Sequence, residues 1–119
     1  MNHDAPRNRA GLLWLVQAGS GLLLVVVLLL HMIANHFVVP GGLQTYGDVV
    51  RYLSNPVIVI LEMTLLVTVT GHAALGVRAI LFDLGLSRQA GRNVSLVLGA
   101  LSIVAVAYGA WLTSRVIGG

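Results

Sequence analysis

Apolar residues in this chain come in three long runs rather than at the short intervals of a half-buried helix or strand. The first extends from about Leu12 to Phe37, within a stretch from Ala10 to Gly47 that has no charged residue unless a histidine is protonated. Pro40-Gly41-Gly42 then breaks it. From Leu53 to Val77 the only charge is Glu62, and Asn55-Pro56 reads as a helix start, with Asn as the cap and Pro in the first helical position. From Asn93 to Ser114 nothing is charged. A bilayer core needs about 20 helical residues. The pattern therefore predicts three transmembrane helices over 12–38, 57–82 and 94–116, in one all-α domain spanning 1–119. The first run is well beyond the roughly 7–15 apolar residues of a signal peptide and no small-residue cleavage site follows it, so it is expected to be retained. Between the first two runs, Tyr46, Val49, Val50 and Leu53 have helical spacing. They predict a short helix along the outer interface, with Tyr46 and Tyr52 at headgroup level. There is no internal repeat or low-complexity segment.

Composition strengthens this picture. Of the 119 residues, 57 % are hydrophobic and 9 % charged, and the mean hydropathy is +0.91. A soluble domain carries about 25 % charge, so a soluble globular enzyme is excluded, and so is a disordered chain. The net charge of +3 comes from seven arginines and no lysine, scattered against four acids. No basic run exists to follow phosphates, which argues against nucleic acid. Cysteine is absent, which removes disulfides, thiolate metal sites and cofactors held through Cys.

The arginines also bear on orientation. Arg7, Arg9, Arg78, Arg88 and Arg92 fall on one side of the membrane, and Arg51 and Arg115 on the other. The positive-inside rule then places the N-terminus in the cytoplasm and the C-terminus outside, in the cell membrane.

Ionisable groups inside a membrane span are costly and are candidates for function. At 1.5 Å per residue, His72 lies roughly 15 Å from the inner end of its helix and His31 roughly 28 Å, so about 13 Å separates their levels. They cannot share one metal atom. Two sites at two levels would suit them, each needing a second imidazole from a partner chain if the ligand is a bis-histidine haem. Ser20 and Gly21 fall at the level of His72, and Gly76 shares its face. These small residues either leave room for a flat macrocycle or serve close helix packing. The histidines themselves either ligate iron or only bond across helices. His36 points to another face at the outer boundary and reads as interfacial, and His3 carries no signal. Asp83, eleven residues after His72, returns to within about 20° of its face. Arg78 lies between them in depth. Arg78 and Asp83 either anchor the helix end or serve haem propionates and proton transfer. Glu62, near the depth of His31, either meets an outer haem and its protons or reaches water.

One segment is more specific. Gly71-His72-Ala73-Ala74-Leu75-Gly76-Val77-Arg78-Ala79-Ile80-Leu81-Phe82-Asp83-Leu84-Gly85 has the form H-x3-G-x-R-x4-D-x-G. It resembles the second helix of the membrane anchor subunits of succinate dehydrogenase and fumarate reductase, respiratory Complex II. Gln17-Ala18-Gly19-Ser20-Gly21 is similar to the family's R-x-S-G segment, with Ala18 at the Arg position; Leu84 stands where one type of anchor has Tyr.

The resemblance implies half of a heterodimeric haem-binding helix bundle. His72 would be an axial ligand of the inner b-type haem, and His31, as in two-haem members, of an outer one. Arg78 would meet a haem propionate, and Ser20 and Asp83 would belong to a quinone site. The implied cofactors are two haems b shared with a second anchor subunit, and a quinone, menaquinone or ubiquinone. The other implied partners are an iron–sulfur subunit, a flavoprotein subunit and the lipid bilayer. The chain itself would be a non-catalytic electron-transfer subunit of a succinate:quinone oxidoreductase. Two alternatives remain: a haem-b anchor of a different dehydrogenase, and a non-redox three-helix membrane protein.

Overall fold

The computed structural model describes residues 5–119, with side chains from residue 8 onward; His3 and the Arg7 side chain counted above lie outside them. Four helices follow one another: α1 (Ala5–Phe37), α2 (Tyr46–Leu53), α3 (Pro56–Asp83) and α4 (Arg88–Gly118). Three of them, over Asn8–Phe37, Pro56–Asp83 and Arg88–Gly118, are long and apolar enough to cross a bilayer. The 28 residues of α3 reach about 42 Å. That exceeds the roughly 30 Å hydrocarbon core, so the helix ends extend to headgroup level.

Local chemistry sets the boundaries. The Asn55 side chain accepts from Val57 N–H at 3.0 Å, and Pro56 occupies the first turn of α3, as the sequence predicts. Gly41 and Gly42, at φ 82° and 80°, take the chain through the left-handed turn after α1 that side-chain-bearing residues resist. Thr45 and Asp48 form a reciprocal capping box at the start of α2: Thr45 N–H donates to Asp48 Oδ2 at 2.8 Å, and Asp48 N–H to Thr45 Oγ1 at 3.2 Å. α4 starts at Arg88, earlier than the expected 94, because Ser87 Oγ caps it by accepting from Ala90 N–H at 3.1 Å. Its first turns are polar and precede the apolar run, so hydropathy alone misses them.

α3 is the central helix. It packs against α1 on one side and α4 on the other, and those two make little contact with each other. Glycines permit the closest approaches. A methyl group on Gly91 would come within 2.6 Å of the Phe82 ring, and one on Gly109 would overlap the Leu66 side chain. The buried cluster lies at the Pro56 end, where Ala34, Val39, Tyr52 and Ile58 meet. Most large apolar side chains elsewhere face outward, as lipid-facing and partner-facing surfaces of a membrane protein do.

The sequence expectation for α2 needs one correction. Tyr46 is exposed, as an interfacial tyrosine should be, but Tyr52 is only 3 % exposed. It points inward under α2 because its hydroxyl has a polar partner there.

Candidate functional site

At mid-depth on α3, His72 lies against α1. Its Nδ1 is 2.9 Å from Ser20 Oγ, and Ser20 Oγ donates its own proton to Gln17 O at 2.9 Å. The hydroxyl has one proton to give, so it accepts from His72 Nδ1–H. This fixes the tautomer through the network and leaves Nε2 with a lone pair, accessible and unpartnered among the described residues. Such an imidazole, held through one nitrogen and free at the other, is what a metal-ligating histidine requires.

The glycines beside it work differently from one of the two expectations. A methyl group on Gly21 would stand 3.1 Å from His72 Cε1, and one on Gly76 would stand 3.3 Å from Gln17 Nε2. The space at Gly21 holds the His72 ring and the space at Gly76 holds the Gln17 amide. They let α1 and α3 approach and do not leave room for a macrocycle in that seam, because the two helices pack directly there.

Below this pair, toward the Asp83 end of α3, a cavity of about 570 Å³ opens between α1 and α3. Arg9, Trp14, Gln17, Arg78, Phe82 and Asp83 border it. Gln17 Oε1 is buried with no hydrogen-bond partner among the described residues. Arg78 Nε donates to Ser95 Oγ on α4 at 3.0 Å, and the guanidinium lies 4.2 Å from the centroid of the Phe82 ring. Arg78 is thus fixed in the wall of the cavity, while Asp83 is exposed at its rim.

His31 sits at a second level, eleven residues beyond Ser20 on α1, or roughly 16 Å along the helix. Its Nδ1 is 2.8 Å from both carboxylate oxygens of Glu62 on α3. Glu62 also accepts from the hydroxyl of Tyr52 on α2, and Asn35 Nδ2 donates to that hydroxyl at 3.3 Å and to His31 O at 2.7 Å. The same amide nitrogen is 3.1 Å and 3.2 Å from the two ring nitrogens of His31. Near-equal distances to both put it over the ring rather than in line with either lone pair, so Nε2 stays open in the ring plane. His31 is 31 % exposed and Glu62 17 %. Glu62 therefore does not simply reach water; it joins three helices. Burial, and after it the Glu62 carboxylate, push the Tyr52 phenol well above its ordinary value.

The structure thus brings together Ser20 with His72, and His31 with Glu62, and keeps the two histidines apart. His36 is exposed and stacks edge-on with Phe37 at 4.9 Å, as an interfacial residue would. Sequence reasoning missed Gln17 and Asn35. Asn35 was legible as the i+4 neighbour of His31. Nothing in the sequence marked Gln17 beyond its place in the Ser20 segment.

Comparison with known proteins gives one family. Residues 7–109 match the model described as succinate dehydrogenase/fumarate reductase transmembrane subunit. A succinate dehydrogenase hydrophobic membrane anchor subunit from Archaeoglobus fulgidus is 32 % identical over 85 % of this chain and 86 % of its own. One of the same description from Thermoplasma acidophilum is 26 % identical over 78 % of this chain and 76 % of its own. No solved structure matches the chain.

Proposed function

Because this chain belongs to the succinate dehydrogenase/fumarate reductase transmembrane subunit family, we propose that it anchors such an enzyme in the membrane and that two of its imidazoles would each help to hold a b-type haem. His72 would hold the inner haem and His31 the outer. The second imidazole at each level comes from a second anchor subunit, since one histidine stands at each level of this chain. Haem supplies reversible one-electron transfer when bound. The chain's own residues orient the imidazoles, through Ser20 at His72 and Glu62 at His31, on a path for electrons from an iron–sulfur subunit to quinone.

The observation that carries this reading is the Ser20–His72 bond, which commits Nδ1–H and leaves Nε2 free. The residues therefore fit the group at the donor atom. The α1–α3 seam is filled by the His72 ring and the Gln17 amide, so the macrocycle would have to be accommodated outside it, by a partner chain. Arg78 is held in the cavity wall, where its remaining N–H groups can meet a propionate. The cavity itself is mostly apolar, with polar groups at Gln17, Arg9 and Asp83. Such a lining suits a quinone ring with a carbonyl oxygen at each end; of the two quinone-site residues that the resemblance implies, Asp83 borders the cavity, whereas Ser20 lies outside its lining with its hydroxyl committed to Gln17 O and His72 Nδ1. The positive-inside count supports a cytoplasmic N-terminus and hence an inner haem facing the soluble subunits.

The test is purification of the complex through a tag on this chain. Expected are a flavoprotein, an iron–sulfur subunit, a second small membrane subunit, haem b absorbance and succinate-dependent quinone reduction. Copurification of those subunits with no haem would reduce both histidines to interhelical hydrogen-bonding residues and leave a haem-free anchor.

A further inference from the structure

We propose that Glu62 is a positioning residue for His31, and that Tyr52 on the interfacial helix α2 sets how strongly it acts. The inference rests on the reading of His31 as a haem ligand. It starts from an asymmetry between the two histidines. His72 Nδ1 is held by a neutral hydroxyl, that of Ser20. His31 Nδ1 is held by a carboxylate, centred on it with both oxygens at 2.8 Å. A carboxylate accepting from the far nitrogen of a ligating imidazole fixes the ring and raises the basicity of the nitrogen that faces the metal. It thereby favours the ferric over the ferrous state.

Glu62 does not act alone. Its Oε1 also accepts from Tyr52, which draws negative charge away from His31. Tyr52 is positioned by burial under α2 and by the Asn35 amide. The same Asn35 is anchored to the carbonyl of His31 at 2.7 Å. A segment outside the spans, α2, is therefore wired by one hydroxyl to the outer imidazole. Among the described residues the inner imidazole has no such connection.

The experiment is a potentiometric titration of the haems in the purified complex, comparing the native protein with Glu62→Gln, Tyr52→Phe and His31→Ala. Glutamine keeps an acceptor for His31 Nδ1–H but removes the charge, so one haem midpoint should move upward and the other should stay. Phenylalanine removes the competing donor and preserves the ring's packing, so the same midpoint should move downward. His31→Ala should abolish that haem alone. If His31→Ala removes a haem but Glu62→Gln leaves both midpoints in place, Glu62 is only a packing partner and the inference is overturned while the function stands. If His31→Ala leaves every haem intact, the outer-ligand reading itself fails and takes the inference with it. Should His31→Ala not assemble, the opposite shifts of the Gln and Phe variants still decide: their presence supports the wiring and their absence overturns it.

Discussion

Ser20 Oγ gives its proton to Gln17 O and takes the one on His72 Nδ1, so a single hydroxyl ties α1 to α3 and selects which imidazole nitrogen is free. Loss of such a supporting group typically costs about 10–100-fold in metal affinity. Ser20→Ala should therefore retain the fold and weaken haem binding by a factor of that order. Ser20→Thr, which keeps the hydroxyl, should recover most of it. Haem titration into the apo complex reads both, and equal affinity in all three proteins would show that the hydroxyl does not support the ligand.

Two glycines on α4 should respond oppositely to a methyl group. A methyl group on Gly91 would stand 2.6 Å from the Phe82 ring, and that ring cannot move away without disturbing its contact with the Arg78 guanidinium. Gly91→Ala should destabilise by about 1–3 kcal/mol through overpacking. Gly99 has nothing within 4 Å, so Gly99→Ala should be neutral or stabilise by up to about 0.5–1 kcal/mol through the backbone. Thermal denaturation of the purified complex distinguishes them, and a reversed order would contradict the α3–α4 packing described.

The attachment of α2 should weaken in acid. Hydrogen bonds from the Thr45 side chain, and then from the Gln44 and Thr45 backbone N–H groups, hold the Asp48 carboxyl below its ordinary value of 3.8. A depressed carboxyl stabilises the folded form above its ordinary range and loses that contribution as pH falls through the depressed value. Tyr52 has the opposite sign. Its raised phenol contributes fully below the ordinary value of 10.0 and loses that contribution only in stronger alkali. Hydrogen exchange of residues 46–53, corrected for intrinsic rates, should be slow and flat from pH 5 to pH 8 and speed up below about pH 4. Asp48→Asn should remove most of that acid dependence; its persistence would assign it to another group.

Topology can be read directly because the chain has no cysteine. Gln89→Cys and Ser54→Cys place single thiols at exposed positions near opposite ends of α3. In right-side-out vesicles a membrane-impermeant maleimide should label Ser54→Cys, and label Gln89→Cys only after permeabilisation. The reverse pattern would invert the orientation proposed from the arginines.

Much of this architecture is legible in the sequence because a bilayer demands long uncharged runs. The spans follow from that demand, the Pro56 start from the Asn55 cap and the proline after it, and the interfacial helix from the spacing of Tyr46, Val49, Val50 and Leu53. Depth is legible too, since rise per residue is fixed: Ser20 and His72 share a level, as do His31 and Glu62, and each pair is in contact. Azimuth is not legible. Whether Gly21 faces a cofactor or a neighbouring ring depends on which sides of α1 and α3 meet, and no single helix specifies that. Tyr52 shows the same limit. Its aromatic ring suggests headgroups, but one half-buried acceptor, Glu62, outweighs that preference and turns it inward. The polar first turns of α4 show a third limit, because hydropathy sees the membrane and not the helix.

The proposed ligation of a haem by His72 Nε2 is open to a direct test. The most direct measurement is the haem b content of the purified complex, by pyridine haemochrome and reduced-minus-oxidised spectra, in native protein and in His72→Ala and His31→Ala. Two haems per complex are expected, with one lost in each variant and the subunits still assembled. Undiminished haem in His72→Ala, or none in the native complex, would contradict it.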